Sequence, residues 1–266
     1  MKSLIFSLLF LTICVGQLFS QNEPTITVPP TELNLSPFYT KYLNAGGIHI
    51  ISSHRPPDAA LYAAWRTING LTAMLPKAVL DAMTKVNTRV GVMGRYEGTT
   101  DIPEHAYLAN DTSLNWDLRA RGLGGDLELP LTTCAEENLL CYQIDKYHAE
   151  DILIHEFAHS IHLIGIVSVY PDFNARLQKL LDTAIAAGKW VNTYAATDIA
   201  EYFAEGVQSW FNVNAEMPAP DSKHNQVNTR AELKAYDPAL YDLLSEFFPE
   251  SEAISCHRCE DKYHVE

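Results

Sequence analysis

The apolar and polar positions along the chain divide into short β-like runs and longer helical stripes. Residues 21 to 37 are rich in proline and read as an extended leader. Gly47-Ile48-His49-Ile50-Ile51-Ser52 reads as a strand opened by a glycine pair. After Pro56-Pro57, Asp58 is the expected N-cap of a helix whose buried stripe is Leu61, Ala64, Trp65, Ile68, Leu71 and Leu75. Pro76 starts a second helical stretch to about Val86, and Arg89 to Met93 reads as a short strand. From Gly94 to Tyr147 the periodicity fades into a loop-rich region, read either as a substrate-side wall of a cleft or as an ordered loop stapled by Cys134 and Cys141. Apolar residues at Ile152, Leu153, Ile154, Phe157, Ala158, Ile161 and Leu163 then predict a buried helix from near His148 to Gly165. Three more helices follow. One runs from Pro171 to a C-cap at Gly188, one from about Asp198 to Phe211, and one opens at Asp237-Pro238 and passes through Leu240, Leu243, Leu244 and Phe247. Few strands and many helices make an α+β class.

The longest buried stripe carries chemistry. It contains His155-Glu156-Phe157-Ala158-His159, an instance of H-E-x-x-H. Residues i and i+4 of a helix share a face, so His155 and His159 can hold one Zn²⁺ ion and leave two coordination positions open. Glu156 is placed to take a proton from a zinc-bound water. On the motif alone, a buried helix with locally hydrogen-bonded histidines is the competing reading, so a third ligand is needed. His162 falls on the same face at i+7, but three histidines from one helix crowd a tetrahedral ion, and it reads as packing or as a support behind the ligands. The Gly and His that would extend the motif in metzincin order are absent, since those positions hold His162 and Gly165. The stronger candidate is Glu201, with Glu205 four residues on in Glu201-Tyr202-Phe203-Ala204-Glu205. One carboxylate can bind the metal and the other can accept the N–H of a ligating histidine. Two acids on a largely apolar helix are costly to bury without such partners, and a solvated acidic face is the alternative.

HEFAH followed by a helical glutamate with a second acid four positions on resembles the gluzincin group of zinc metallopeptidases. The pattern is most similar to the catalytic domain of anthrax lethal factor, where the ligand glutamate also sits in an acid-aromatic-Phe-Ala-Glu run with a tyrosine seven residues before it. The match covers roughly residues 148–212. The resemblance implies a zincin-like fold, with the H-E-x-x-H motif on one helix and the glutamate ligand on a second. It implies His155, His159 and Glu201 as zinc ligands, Glu156 as general base and Glu205 as the acid behind the ligands. Tyr194 would be the hydroxyl that steadies the oxyanion. The activity it implies is hydrolysis of peptide bonds in a peptide or protein substrate, with one zinc ion per chain.

Composition narrows the setting. Hydrophobic residues make up 47% and charged residues 20%, as in an ordinary globular protein. Residues 1–20 read as a secretory signal peptide: Lys2, an apolar run from Leu4 to Val15, and a small residue at Ser20. No other segment reads as apolar enough to span a bilayer, so the mature protein is expected to be exported and free of the membrane. Net charge is −14, and removing Lys2 with the leader leaves 18 bases against 33 acids, or −15. That acidity disfavours nucleic acid and anionic membrane surfaces as partners. Residues 21–250 are expected to form one catalytic domain and 251–266 a cysteine-containing tail. Local disulfides are expected, Cys134 with Cys141 and Cys256 with Cys259, with a zinc knuckle built on Cys256, Cys259 and His264 as the rival for the second pair. Asn34 and Asn110 sit in glycosylation sequons. Arg119 and Arg121 are candidates for binding a carboxylate-bearing substrate, or for pairing with the chain's own acids. A zinc amidase acting on a non-protein amide and a non-catalytic zinc-binding protein remain alternatives to a peptidase.

Overall fold

The computed structural model describes residues 23–250. The expected signal peptide, the Cys256–Cys259 pair and its zinc-knuckle rival lie outside the described residues.

A five-stranded mixed sheet forms one layer of the fold, built from β1 (Lys41–Ala45), β2 (Ile48–Ser52), β3 (Arg89–Met93), β4 (Gly122–Leu123) and β5 (Leu131–Ala135), in the order β1-β2-β3-β5-β4. β1 and β2 form a hairpin, β2, β3 and β5 are parallel, and β4 lies antiparallel on the β5 edge. The hairpin turn is Gly46-Gly47, with φ of +61° and +98°. Two consecutive positive φ values suit a two-residue turn whose twist matches the strands, and glycine meets that requirement without steric cost. The expected strand at 48–52 is present, and its partner β1 and the central strand β5 are additions. All five β5 residues are buried, so no alternation marked it as a strand.

The helices cover one face of the sheet and continue beyond it. They are α1 (Asp58–Met74), α2 (Lys77–Lys85), α3 (Trp116–Arg119), α4 (Glu136–Leu139), α5 (Ile152–Ser160), α6 (Val167–Val169), α7 (Phe173–Ala186), α8 (Ile199–Trp210), α9 (Arg230–Tyr236) and α10 (Pro238–Ser245). Asp58 is not the N-cap of α1. Pro57 holds that position, and Asp58 is the first helical residue, where its carboxylate accepts from Lys41 Nζ at 2.6 Å. Ile50 and Ile51 point to opposite faces of the sheet, as the pleat requires. Ile50 joins the large core that α1, α5, α7, α8 and α10 share, and Ile51 joins a smaller cluster with Tyr39, Met93, Ile102 and Leu131.

The stretch 94–147 is more ordered than its sequence suggested. It holds 3-10 segments at Thr99–Asp101 and Pro103–Asn110, then α3, β4, β5 and α4. The expected Cys134–Cys141 disulfide is absent: Cys134 is a free, buried thiol on the helix-facing side of β5, packed within the large core. Asn34 and Asn110 are both exposed.

The helix carrying His155 begins later and ends later than its apolar stripe implied. Asn138 holds residues 145–151 in irregular backbone up to the start of α5. Its Nδ2 donates to Asp145 Oδ2, Glu150 O and Tyr147 O, and its Oδ1 accepts from Ile152 N. Asp151 then caps α5 through Oδ1, 3.0 Å from Ile154 N. Gly165 does not end the helix. The chain continues through a π-helical segment, Ile161–Ile166, into α6. Gly165 is there for packing, because a Cβ at that position would meet Val79 Cγ1 of α2 at 2.7 Å. The whole stretch Ile152–Val169 has the length and apolarity of a membrane span, contrary to the sequence reading, yet 72% of it is buried inside the protein. Its apolarity is that of a core helix.

Candidate metal centre and cleft

α5 and α8 pack face to face, and the site forms at their contact. Asp198 caps α8 by accepting from Ala200 N at 2.8 Å and Glu201 N at 3.0 Å, which starts the helix one turn from the glutamate it must present. His155 Nε2 lies 3.1 Å from Glu201 Oε2, and His159 Nε2 lies 3.7 Å from the same oxygen. The ligand atoms of His155, His159 and Glu201 all fall within 4.8 Å of one another. Donors about 2.0–2.2 Å from a tetrahedral Zn²⁺ stand about 3.4 Å apart, so the two measured separations bracket what that ion requires. Glu156 Oε2 is 4.0 Å from His159 Nε2, beside the three donors.

The protonation of His155 is set from behind. Gln208 Nε2 donates to Asp151 O (3.1 Å) and to Glu150 Oε2 (3.3 Å), which turns Gln208 Oε1 towards His155 Nδ1 at 2.8 Å. An amide oxygen only accepts, so Nδ1 carries the proton, and in the neutral ring Nε2 offers its lone pair to the site. A lone pair and a carboxylate 3.1 Å apart repel unless a cation, either a proton or a metal, sits between them. Burial disfavours charge on His155, but the Glu201 hydrogen bond and the Glu156 and Glu205 charges outweigh it and hold the imidazole well above its ordinary range. His159 is pushed down to about 3 by burial and by the His155 charge. Burial pushes Glu156 up to about 7, with His155 opposing the rise and Glu201 adding to it. The donors therefore suit a dication: two imidazoles, one carboxylate, and a surplus of negative charge to neutralise.

Glu205 and Tyr194 also reach this region. Glu205 is buried, with Oε1 3.7 Å from His155 Nδ1 and Oε2 accepting from Asn214 Nδ2 at 2.9 Å, and burial raises its carboxyl. The close acceptor for His155 is thus Gln208, with Glu205 the charge beside it. The sequence reading did not single out Gln208, although it is a polar side chain on the same apolar helix as Glu205, seven residues from Glu201, and the argument applied to the two acids could have found it. The Tyr194 ring lies against His155, with centroids 6.3 Å apart. Burial and the Glu201 charge raise the Tyr194 phenol, and Arg119 opposes them. His162 points away from the site, giving Nε2 to Asn174 Oδ1 at 2.7 Å between Phe173 and Phe203. The packing role expected for it is what the structure shows.

No family model matches the chain, and no curated protein matches it. Among solved structures, the fold is similar to that of the Pro-Pro endopeptidase PPEP-2 from Paenibacillus alvei. The two share 16% identity at a TM-score of 0.50, over 74% of this chain and 96% of that one. At that identity the likeness is one of fold. The α+β, zincin-like class read from the sequence holds.

The donors open onto a cleft of about 420 Å³. One wall is the edge strand β4 and the chain beside it, and the other carries Tyr194, Lys223 and His224. The glycine-rich run Gly122-Leu123-Gly124-Gly125 allows the edge to press on α5. A Cβ at Gly122 would meet Ile152 Cγ2 at 2.6 Å, and one at Gly124 would meet His159 Cβ at 2.5 Å. Residues 116–126 thus form a cleft wall, as one reading of the loop-rich region had it. Arg121 does not face a substrate from this wall. Its guanidinium grips Glu137, with Nε 2.5 Å from Oε1 and Nη2 3.1 Å from Oε2, and Nη2 also bonds Gly94 O.

Proposed function

We propose that the protein is a secreted zinc-dependent peptidase. The observation that carries this reading is the convergence of His155, His159 and Glu201, with Glu156 beside them, at the floor of an open cleft. Residues 1–20 would direct export and then be removed. His155, His159 and Glu201 would hold the ion. Bound there, Zn²⁺ would supply a Lewis acid that acidifies water and polarises a carbonyl. Glu156, with its carboxyl near 7, is matched to accept a proton from the attacking water and to return it to the leaving amine. The Tyr194 hydroxyl, held neutral by burial, would donate to the carbonyl oxygen as negative charge develops on it. The unpaired main-chain edge of β4 offers an extended peptide a ladder alongside α5.

Metal content and peptide hydrolysis test the proposal together, on the mature chain and on Glu156→Gln and Glu201→Ala. The panel includes Pro-Pro peptides, which the name of the structural neighbour recommends. One zinc ion per chain is expected. Glu156→Gln should keep the metal and lose roughly 10²–10⁴-fold in rate, and Glu201→Ala should lose the metal. Absence of zinc would refute the site. Stoichiometric zinc with no cleavage of any peptide would refute the peptidase reading in favour of another amide.

A further inference from the structure

Besides the metal donors and the general base, the cleft carries two cations, Arg119 and Lys223, on facing walls. In a chain of net charge −14, arginines are rarely left without a carboxylate. Of the eight arginines among the described residues, six have a carboxylate oxygen within 4.0 Å. Arg230 is committed otherwise, donating to Trp210 O at 2.8 Å and lying over the Trp210 ring. Arg119 remains, an exposed guanidinium on the cleft wall beside the Tyr194 hydroxyl, with no carboxylate within that distance.

A second cation faces the same space. Lys223 lines the opposite wall, also without a carboxylate partner among the described residues, and its Nζ is 5.9 Å from the centre of the Tyr147 ring. Tyr147 joins the two walls, since its hydroxyl donates to Arg119 O at 3.2 Å. The Lys223 backbone is fixed: its N–H bonds Asp221 Oδ1 at 2.9 Å, and its carbonyl accepts from Tyr194 N at 2.7 Å. The nearby acid Glu150 is already engaged by His224 at 3.4 Å and by Gln208 at 3.3 Å, so it does not answer these cations.

The pattern has a direction. Gly122 packs on Ile152 and Glu156, Gly124 on His159 and Gly125 on Ser160, so the edge chain runs along α5 from the general base past the second histidine. Arg119 precedes that run and Asp126 follows it. The cleft is therefore cationic at one end and acidic at the other. Peptide side chains or termini with a matching sequence of charge would be oriented by it.

We infer that the cleft recognises its substrate through a carboxylate seated between Arg119 and Lys223, over Tyr147. This rests on the peptidase reading and adds the substrate class to it. The carboxylate can come from an Asp or Glu side chain close to the scissile bond or from a free peptide C-terminus. A guanidinium and an ammonium on facing walls suit both sources.

The test uses matched peptide pairs, Glu against Gln at each of three positions on either side of the scissile bond, each with a free and an amidated C-terminus. Binding to the zinc-loaded Glu156→Gln protein is measured by fluorescence polarisation, and kcat/KM on the unsubstituted protein. Tenfold or greater preference is expected for the carboxylate form at one position, falling towards unity in Arg119→Gln/Lys223→Gln. Arg119→Glu should reverse the preference towards Lys-bearing peptides. Loss of the preference on amidation, rather than on Glu→Gln exchange, would assign the carboxylate to the C-terminus. Equal binding of every pair, or a preference undiminished in the double variant, overturns the inference. Failure of the peptidase reading would show separately, as no cleavage of any peptide by the unsubstituted protein.

Discussion

At the scale of single residues, the candidate metal centre depends on Gln208 as well as on its donors. The Gln208 amide cannot turn over without bringing its NH₂ group against the Nδ1–H of His155 and its oxygen against Asp151 O and Glu150. It therefore fixes which His155 nitrogen faces the site. A residue that orients a ligand in this way typically changes metal affinity by 10–100-fold when removed. Gln208→Leu is expected to weaken zinc binding by about that factor, measured by competition with a chromogenic chelator. Glu205→Gln should cost less, since Glu205 stands 3.7 Å from the same nitrogen and already bonds Asn214. Equal losses would mean that the charge of Glu205, rather than the Gln208 hydrogen bond, sets the tautomer.

At the scale of elements, the meeting of α5 with β4 decides how near the cleft wall stands to the ligands. A Cβ at Gly124 would lie 2.5 Å from His159 Cβ and 2.8 Å from His159 Cγ, so strand or helix must move. Gly124→Ala is expected to lower zinc affinity and activity together, since His159 is the residue displaced. Gly188→Ala is the control. It has φ +76° but open space around it, so it should cost about 1 kcal/mol in stability and leave zinc affinity unchanged. Chelator competition and thermal melts on both variants separate close approach from backbone strain. The same meeting shows what was legible in the sequence. His155, His159, Glu201 and Glu205 were legible because helical spacing fixes which residues share a face, and polar groups stand out on apolar helices. Gly122 and Gly124 were not, because what excludes a Cβ there is α5, some thirty residues away in sequence. β5 was hidden because a strand buried on both faces does not alternate. The helix start at Ile152, rather than near His148, depended on Asn138, whose bonds to Tyr147 and Glu150 no local pattern announces.

At the scale of the whole molecule, the two segments that bring Tyr194 and Glu201 to the site are tied from the rear by one buried carboxylate. Asp237 Oδ2 accepts from Trp190 Nε1 at 2.8 Å and from the Tyr202 hydroxyl at 2.6 Å, while Asp237 Oδ1 caps α10 through Leu240 N. Trp190 stands four residues before Tyr194, and Tyr202 follows Glu201 directly. The bonds therefore join the loop before Tyr194, α8 and α10 at one point inside the large core. Asp237→Ala would strand two buried donors at about 1–3 kcal/mol each and remove a cap worth about 1 kcal/mol. The expected loss is about 4 kcal/mol, which for a chain of this size lowers Tm by roughly 8–16 °C. Asp237→Asn keeps one acceptor oxygen and should lose about half as much. If the tie also positions the site, zinc affinity and kcat should fall in the same order as Tm, from unsubstituted to Asn to Ala, when compared well below each melting point. A drop in Tm with zinc affinity and kcat unchanged would separate the two, and Asp237 would then hold the core without setting the geometry of the donors.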